Sequence, residues 1–518
     1  MKKLVIYLMS IFLVVGMAGC AKSDSTGEHP GVAEESSESV LPICVTVGEE
    51  QKSELYADRY EELVTISYPK IFLCNGDETK YSGLSRALDS YNRKTMEKQM
   101  KFMNDCLDSG KEYSQMMDSQ TVTYESKINL AVRRADTRVT SFLCCDYSYG
   151  GGAHGNYFYY GKNFDTKTGE PLKLSQVVND TNALTEAIKK QLKVFWSVHE
   201  EYDEAIIANA LSDVEQLSWT LDYNGITVYF SPYEIASYAA GVQVVTLSNE
   251  EYPDILKSEY QEVPKAYGVE FLSYTPFYTD VTGDGKVDEL FFSAYNDEDA
   301  TDTGYLSVSV NDTYHEEETW FYEAKATLLH TKDGKNYLYA ELLQDSDYRD
   351  IRCYEFSDSV TPIGKADGGL RSRLREEETV MFTYDVLTNP EAFQLERRTQ
   401  HLSTVSGYKT YAVGQNGLPE TRDLRFHFDD EQMLEFSLLQ DFEAEIYDED
   451  KETVTGNQIL KQGDKVLYYS TDNETYAYFK QSDGTILRVQ TVLDAEHYYH
   501  TIHGMKPEEL FDGILFAG

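Results

Sequence analysis

The chain has 518 residues, of which 46 are Lys or Arg and 89 are Asp or Glu, giving a net charge of −43. A chain of this length is expected to form about two to four domains. Such an acidic surface repels nucleic acid, so DNA and RNA are excluded as partners, whereas a cationic protein or a divalent metal ion would be attracted. The plainer interpretation is that the acidity only keeps the protein soluble.

The amino terminus predicts an exported, lipid-anchored protein. Two lysines precede an apolar run at residues 4–15, which is too short to span a membrane and is typical of a secretion signal. Ala18-Gly19-Cys20 resembles the end of a bacterial lipobox, with Met17 where that motif more often has Leu. This resemblance implies a signal peptide at residues 1–19, a lipid on Cys20, and a location on the extracytoplasmic face of the cell membrane. Residues 20–40 are polar and predict a flexible tether.

Between residues 41 and 250, helix and strand patterns alternate and predict an α+β module, an antiparallel sheet with packed helices. Residues 81–109 place apolar side chains at three- and four-residue steps, which predicts one helix ending at Gly110. Further helices are predicted after Asn182 and at residues 202–214. The methionine row of the first helix suits an adaptable binding face or a core stripe, and we favour the core stripe.

The module is organised around a glycine-rich turn, Tyr147-Ser-Tyr-Gly-Gly-Gly-Ala-His-Gly-Asn-Tyr157. Alternating residues at 122–132 and a second run at 139–147 predict strands before it, and Tyr157 opens the next. Its four glycines permit positive φ or close approach of another segment, as in bulges and binding loops. Residues 219–230 place Asn224-Gly225 between alternating apolar residues, which predicts a β-hairpin.

This turn, with Ile66-Ser-Tyr-Pro-Lys-Ile71 and the segment 230–241, resembles a known extracytoplasmic module. The module is shared by RsiV-type anti-sigma factors, in which it binds lysozyme, and by the amino-terminal part of PdaC-type peptidoglycan deacetylases. The likeness covers residues 41–250. It implies recognition of a cell-envelope ligand, either a peptidoglycan-type glycan or a cationic protein such as lysozyme. We find neither the spanning segment of RsiV-type factors nor the metal-binding motifs of the deacetylase domain.

Tyrosines crowd the segments that carry this resemblance, and tyrosine offers broad, partly polar contact surface with little rotamer entropy to lose. The expected ligand contacts are Tyr147, Tyr149, His154, Asn156, Tyr157, Tyr233 and Glu234. For any single tyrosine, a place in the core is the simpler interpretation. His154 has no companion nucleophile or orienting group in the sequence, so we favour a turn histidine bonded to backbone over a catalytic base.

The carboxyl-terminal half is rich in short strands and glycine turns. These predict a β-rich domain at residues 255–370 and another at 371–518, for which an SH3-like barrel is one arrangement. His497, His500 and His503 are spaced by three, so on a strand they point to opposite faces, which argues against a zinc site.

Residues 280–288 predict a structural calcium site. Oxygens at alternating positions can converge on one hard cation, from Asp280, Thr282, Asp284, the Lys286 carbonyl and Asp288. The bidentate Glu of an EF-hand is missing, and the pattern resembles the calcium loops of integrin-type FG-GAP repeats. The alternative is a plain Asp-Gly hairpin.

Two questions stay open at the level of sequence. Apart from Cys20, cysteines stand at positions 44, 74, 106, 144, 145 and 353, and they fit either one bond among the first five or buried free thiols. The common hydrolase, zincin and nucleotide-binding signatures are absent, so the chain is expected to bind a ligand and not to turn it over. The alternatives are an enzyme acting on cell-wall polymers and a structural envelope component.

Overall fold

The computed structural model describes residues 39–56, 61–116, 123–196, 203–296, 303–344, 348–372, 382–494, 496 and 499–516. The predicted signal peptide, Cys20, nearly all of the tether and His497 lie outside these residues. No helix among the described residues is both long and apolar enough to cross a membrane. Residues 40–518 form one compact unit, and the predicted domain boundaries within it stay predictions.

The amino-terminal part forms a sheet with one long helix packed on it. Its elements are β1 (Val45–Leu55), β2 (Glu62–Leu73), α1 (Asp77–Lys80), α2 (Ser82–Met116), β3 (Tyr124–Ala135), β4 (Val139–Tyr149) and β5 (Asn156–Asp165). Helix α2 buries Leu84, Leu88 and Met103, with Met96 and Met100 packed against the same core. The core interpretation of the methionine row is therefore confirmed.

Two predictions about this sheet and helix are wrong. Strands β2 and β3 pair in parallel, so the sheet is mixed and not antiparallel as predicted. The reason is that α2 crosses back over the sheet between them, as a crossover helix does between parallel strands. Helix α2 also continues past Gly110 to Met116. One internal glycine costs only about 1 kcal/mol relative to alanine, and this does not end a long helix.

One disulfide closes the start of this sheet. Cys44 and Cys74 are bonded, with Cα atoms 5.2 Å apart, where β1 begins and β2 ends. Cys106, Cys144, Cys145 and Cys353 are buried free thiols. Both open readings of the cysteines thus hold for different residues, and burial raises the pKa of Cys144 and of Cys145 to about 12.

A second layer of helices and a three-stranded sheet follows. It contains α3 (Leu174–Val177), α4 (Thr181–Trp196), α5 (Glu204–Ala210), β6 (Ser218–Leu221), β7 (Gly225–Phe230), β8 (Gln243–Ser248) and α6 (Ser258–Gln261). Leu184, Ile188 and Leu192 of α4 pack into one core with the sheet. The predicted hairpin is confirmed. The predicted third helix is shorter than expected, because Asp203 caps its start and a separate 3-10 turn, Val214–Gln216, follows it.

The middle of the chain forms two antiparallel sheets, ordered β10-β11-β12-β13 and β17-β16-β15-β14-β9. Their strands are β9 (Tyr267–Glu270), β10 (Phe277–Thr279), β11 (Asp288–Asn296), β12 (Gly304–Val310), β13 (Thr313–Glu318), β14 (Glu323–His330), β15 (Asn336–Leu343), β16 (Arg349–Phe356) and β17 (Val360–Asp367). The two sheets share a core that includes Leu290, Leu306, Leu338 and Tyr354.

The carboxyl-terminal part is β-rich, as predicted. Its elements are β18 (Gly369–Leu370), β19 (Phe382–Asp385), β20 (Phe393–Gln400), β21 (Thr404–Val413), β22 (Pro419–Thr421), β23 (Phe426–His427), β24 (Leu434–Leu438), β25 (Phe442–Asp448), β26 (Thr453–Leu460), β27 (Lys465–Thr471), β28 (Tyr476–Lys480), β29 (Ile486–Gln490), β30 (Val492–Asp494), β31 (Tyr499–Thr501), α7 (Pro507–Leu510) and β32 (Phe511–Asp512). The SH3-like arrangement stays a prediction.

Strand β19 belongs to the first sheet. It pairs antiparallel with β1, and Thr46 donates a hydrogen bond from Oγ1 to Asp385 Oδ1 at 2.7 Å. The sheet order is therefore β19-β1-β2-β3-β4-β5. The sheet draws residues from distant parts of the chain, and this places Tyr384 beside the site described next.

Candidate functional site

A cleft of about 690 Å³ opens on the face of the first sheet that lies opposite α2. Strand β3 divides its side chains between the two faces: Tyr124, Ser126 and Ile128 are buried, whereas Glu125, Lys127 and Asn129 are part-exposed and line the cleft. The volume falls within the roughly 300–1,000 Å³ of ordinary ligand pockets. The cleft is therefore large enough for a small organic ligand or a short oligomer.

Three tyrosines, Tyr147, Tyr157 and Tyr238, form one side of the cleft and are called here the aromatic wall. In the sheet register Lys127 lies opposite Tyr147, and Tyr147 lies opposite Tyr157. The ring centroids are 4.8 Å apart for Tyr147 and Tyr157, and 6.5 Å apart for Tyr157 and Tyr238. The result is a row of rings that continues from β4 to the loop after β7.

The glycine-rich turn supports this wall through Gly155. A Cβ atom at that position would lie 2.1 Å from Cε2 of Tyr147, so only glycine lets the ring occupy its place. The Tyr238 hydroxyl donates to the Gly155 carbonyl at 2.9 Å. Burial raises the pKa of Tyr147 and of Tyr157, and the charge of Glu125 adds to both effects. Both hydroxyls therefore stay protonated and can donate hydrogen bonds at neutral pH.

The side chains of Glu125, Lys127 and Asn129 are called here the polar row. Within the described part of the chain, none of the three makes a side-chain hydrogen bond or an ion pair. They offer a carboxylate, an ammonium group and an amide on one face of one strand. All three are part-exposed, so water can bond to them, and a ligand in the cleft could take the place of that water.

The lining of the cleft also contains an ionisable cluster. Lys325 pairs with Glu323 at 3.0 Å, and its Nζ lies 3.7 Å from the centroid of the Tyr384 ring. Behind Tyr384 lies Glu270, which accepts hydrogen bonds from Val132 N at 2.8 Å and from the Tyr384 hydroxyl. Burial raises the pKa of Glu270 to about 7, with the backbone donor of Val132 opposing this. Glu270 is itself buried and does not line the cleft, whereas Tyr384 does.

The predicted contact residues are only partly gathered by this cleft. Tyr147 and Tyr157 line it, whereas Tyr149 bonds to the backbone of Gly152 and Asn156 lies exposed at the start of β5. The remaining three, His154, Tyr233 and Glu234, lie outside the cleft beside Tyr238 or in the loop that carries it. His154 bonds through Nδ1 to the Gly155 carbonyl at 2.8 Å, which fits the favoured interpretation of a backbone-bonded turn histidine.

The predicted calcium loop connects β10 and β11. Its carboxylates bond to the loop backbone: Asp280 accepts from Gly283 N and Gly285 N, and Asp288 accepts from Val281 N and Thr282 N. Thr282 Oγ1 lies 3.5 Å from an oxygen of Asp280 and 3.5 Å from one of Asp288, so three of the predicted oxygens are close together. These donors suit a hard cation, and calcium there stays a prediction.

A different group meets a simple geometric criterion for a metal site. Among the described residues, only one group of His, Cys, Asp or Glu side chains brings three metal-ligating atoms within 4.8 Å of one another. It consists of Cys44, Cys74 and Asp385. The two sulfur atoms are joined in the disulfide, so they are not thiolate ligands in this state.

Several residues of the cleft were not predicted. The polar row was readable in principle, because its members alternate with the apolar residues that predicted β3. Tyr238 stood in a segment already noted for its tyrosines. Lys325 and Tyr384 gave no such signal, since Tyr384 reaches the cleft through the pairing of β19 with the distant β1 and Lys325 lies on β14 of another sheet.

Comparison with known proteins assigns part of the chain to a family. Residues 175–250 match the family described as a protein of unknown function, DUF3298. One solved structure, a DUF3298 family protein from Pseudomonas aeruginosa PAO1, is 13% identical and is matched over 43% of this chain and 99% of its own, with a TM-score of 0.32. A solved structure of a DUF3298 family member from Bacteroides fragilis is 19% identical and is matched over 43% of this chain and 98% of its own, also with a TM-score of 0.32. No curated protein matches this chain. The matched segment contributes Tyr238 to the aromatic wall.

Proposed function

We propose that this chain, with its DUF3298 domain at residues 175–250, is a non-catalytic receptor that binds a cell-envelope glycan of the peptidoglycan type in the cleft. One observation carries the proposal: the aromatic wall and the polar row line the same cleft. Sugar rings present C–H faces that stack on aromatic rings and hydroxyl or amide groups that bond to carboxylate, ammonium and amide side chains. The cleft offers both kinds of contact side by side.

The place of action is part of this proposal. A lipid on Cys20 would hold the protein on the outer face of the cell membrane, where the glycan lies. The Cys20→Ala variant is expected to move from the membrane fraction to the medium. A variant that stays in the membrane fraction would contradict lipid anchoring.

The resemblance to RsiV-type modules and the net charge of −43 support a second type of ligand, a cationic protein such as lysozyme. The polar row favours a glycan over a cationic protein. A cationic surface would be attracted best by a purely acidic site, whereas the polar row combines one carboxylate with an ammonium group and an amide. The two ligands are separated by the experiment below.

An enzyme acting on the same glycan is the rival function. Glu270, whose pKa burial raises to about 7, is a carboxylate near the cleft that could serve as an acid at neutral pH. Glu270 is buried, is hydrogen-bonded to Val132 N and to Tyr384, and does not line the cleft. Binding without turnover is therefore the better-supported function.

The test uses the chain from residue 21, which lacks the signal peptide and Cys20 and is called here the mature chain, in pulldowns with insoluble peptidoglycan and with immobilised lysozyme. Tyr157→Ala removes a ring of the aromatic wall, and Tyr314→Ala is the matched control, because Tyr314 is a 75%-exposed strand tyrosine away from the cleft. We expect peptidoglycan to retain the wild type and the control but not Tyr157→Ala. Retention by lysozyme alone would refute the glycan, and release of soluble sugar fragments would favour the enzyme.

A further inference from the structure

The aromatic wall does not end at the mouth of the cleft. Beyond Tyr238, the ring of His154 stacks on Tyr238 with centroids 4.1 Å apart, and the ring of Tyr233 lies 5.4 Å from Tyr238. His154 and Tyr233 also face each other, with centroids 6.3 Å apart. These three residues are called here the outer platform. Only Tyr238 belongs to both the wall and the platform.

The outer platform is held in place by hydrogen bonds. His154 Nδ1 and the Tyr238 hydroxyl both bond to the carbonyl of Gly155, at 2.8 Å and 2.9 Å. With Nδ1 donating, Nε2 of His154 is an acceptor that faces the Tyr233 hydroxyl at 3.4 Å. His154 and Tyr238 are therefore both fixed by Gly155, the residue that also leaves room for the Tyr147 ring of the aromatic wall.

Tyr233 is held in a costly conformation. Its φ is +71°, which is uncommon for a bulky residue, and its side chain is 63% exposed. A tight turn enforces this backbone, because Ser231 N donates to the Glu234 carboxylate at 2.9 Å and Glu234 N donates to the Ser231 carbonyl at 3.0 Å. Left-handed non-glycine residues that persist at the surface are concentrated at binding sites, where the surrounding structure holds the strain.

We propose that the outer platform is a second sugar subsite, so that the ligand is an extended glycan strand that runs out of the cleft over Tyr238 onto His154 and Tyr233. This inference rests on the proposed function and goes further, because it selects a polymer over a small sugar. His154 and Tyr233 are exposed and continue the row of rings beyond Tyr238, so an added sugar unit can gain a stacking contact there. The Nε2 atom of His154 and the Tyr233 hydroxyl supply polar contacts at the same place.

The test compares the binding of a short and a long chitooligosaccharide, a disaccharide and a hexasaccharide, by calorimetry on the mature chain. Tyr233→Asn removes the ring with a residue that tolerates positive φ, so the turn is kept. For the wild type we expect the hexasaccharide to bind about tenfold more tightly than the disaccharide. In Tyr233→Asn this advantage is expected to fall to about twofold or less, with disaccharide binding unchanged. His154→Gln is expected to act in the same direction.

The outcomes separate the two proposals. Equal affinity of the wild type for both oligosaccharides, or an advantage that Tyr233→Asn and His154→Gln both retain, would overturn the outer subsite and leave the cleft intact. No binding of either oligosaccharide would overturn both. Unchanged disaccharide binding in the variants shows that the cleft is still folded.

Discussion

The ion pair of Arg133 and Asp222 is expected to hold the β6–β7 hairpin onto the first sheet. Arg133 donates from Nε and Nη2 to the two carboxylate oxygens of Asp222 at 3.1 Å and 3.0 Å. Both side chains are buried, and the hydroxyls of Thr220 and Thr227 complete the shell of the carboxylate. The perturbation is Arg133→Met, which keeps the aliphatic stem and removes the cation.

The size of the effect follows from burial. In Arg133→Met the Asp222 carboxylate keeps two hydroxyl donors but loses its counter-charge in a place that water does not reach. Breaking a buried ion pair from one side costs about 3–5 kcal/mol, and we expect the free energy of unfolding to fall by about 4 kcal/mol. Adding Asp222→Asn removes the orphaned charge, so the double variant is expected to be about 2 kcal/mol more stable than the sum of the single effects.

The assay is urea unfolding of the mature chain, followed by tryptophan fluorescence, to which Trp219, buried in β6, contributes. Lys332→Met is the control, because Lys332 and Glu391 form an ion pair at 2.6 Å with both side chains exposed, and no measurable change is expected from its loss. A loss for Arg133→Met no larger than that of the control would refute the reasoning, as would strict additivity in the double variant.

Three further predictions address other parts of the molecule. Burial lowers the pKa of His401 from its ordinary value of 6.5 to about 3, so between these two pH values only the unfolded chain takes up a proton on this residue. The free energy of unfolding is therefore highest above pH 6.5 and falls as the pH drops, by about 2 kcal/mol at pH 5. Urea unfolding at pH 7 and pH 5 should show that the wild type loses about 2 kcal/mol more unfolding free energy between these pH values than His401→Gln does. Equal losses would contradict the pKa shift of His401. Gly155→Ala should displace the Tyr147 ring and weaken glycan binding about tenfold. Gly152→Ala, whose added Cβ meets nothing within 4 Å, is the control and should bind the glycan normally. Equal binding by both variants would show that Gly155 does not support the aromatic wall. If Asp280 and Asp288 hold calcium, a calcium concentration tenfold above the dissociation constant adds about 1.4 kcal/mol to the free energy of unfolding. A chelator should remove this stabilisation and lower the Tm. Equal Tm values at millimolar calcium and in chelator would exclude the site.

Local patterns in the sequence were sufficient for elements whose partners are close along the chain. The alternation at residues 122–132 predicted β3, Asn224-Gly225 predicted the hairpin, and the apolar steps after Ser82 predicted α2. In each case a period fixes which side chains share a face, and a neighbouring segment supplies the partner.

Contacts over long distances in sequence could not be predicted in this way. A strand pattern does not say which edge it will join, so the pairing of β1 with β19 and the parallel pairing of β2 with β3 left no local signal. The same limit applies to Tyr384 in the cleft. His401, whose ring nitrogens contact Thr471 and Thr491, was also missed, because a lone histidine in a strand-rich segment carries no pattern.

The most direct test of the central claim is diffraction from crystals of the mature chain grown with a chitooligosaccharide. The account predicts a sugar ring stacked on Tyr147 or Tyr157, with its polar groups bonded to Glu125, Lys127 or Asn129. Sugar density elsewhere on the molecule, with this cleft holding only water, would contradict it.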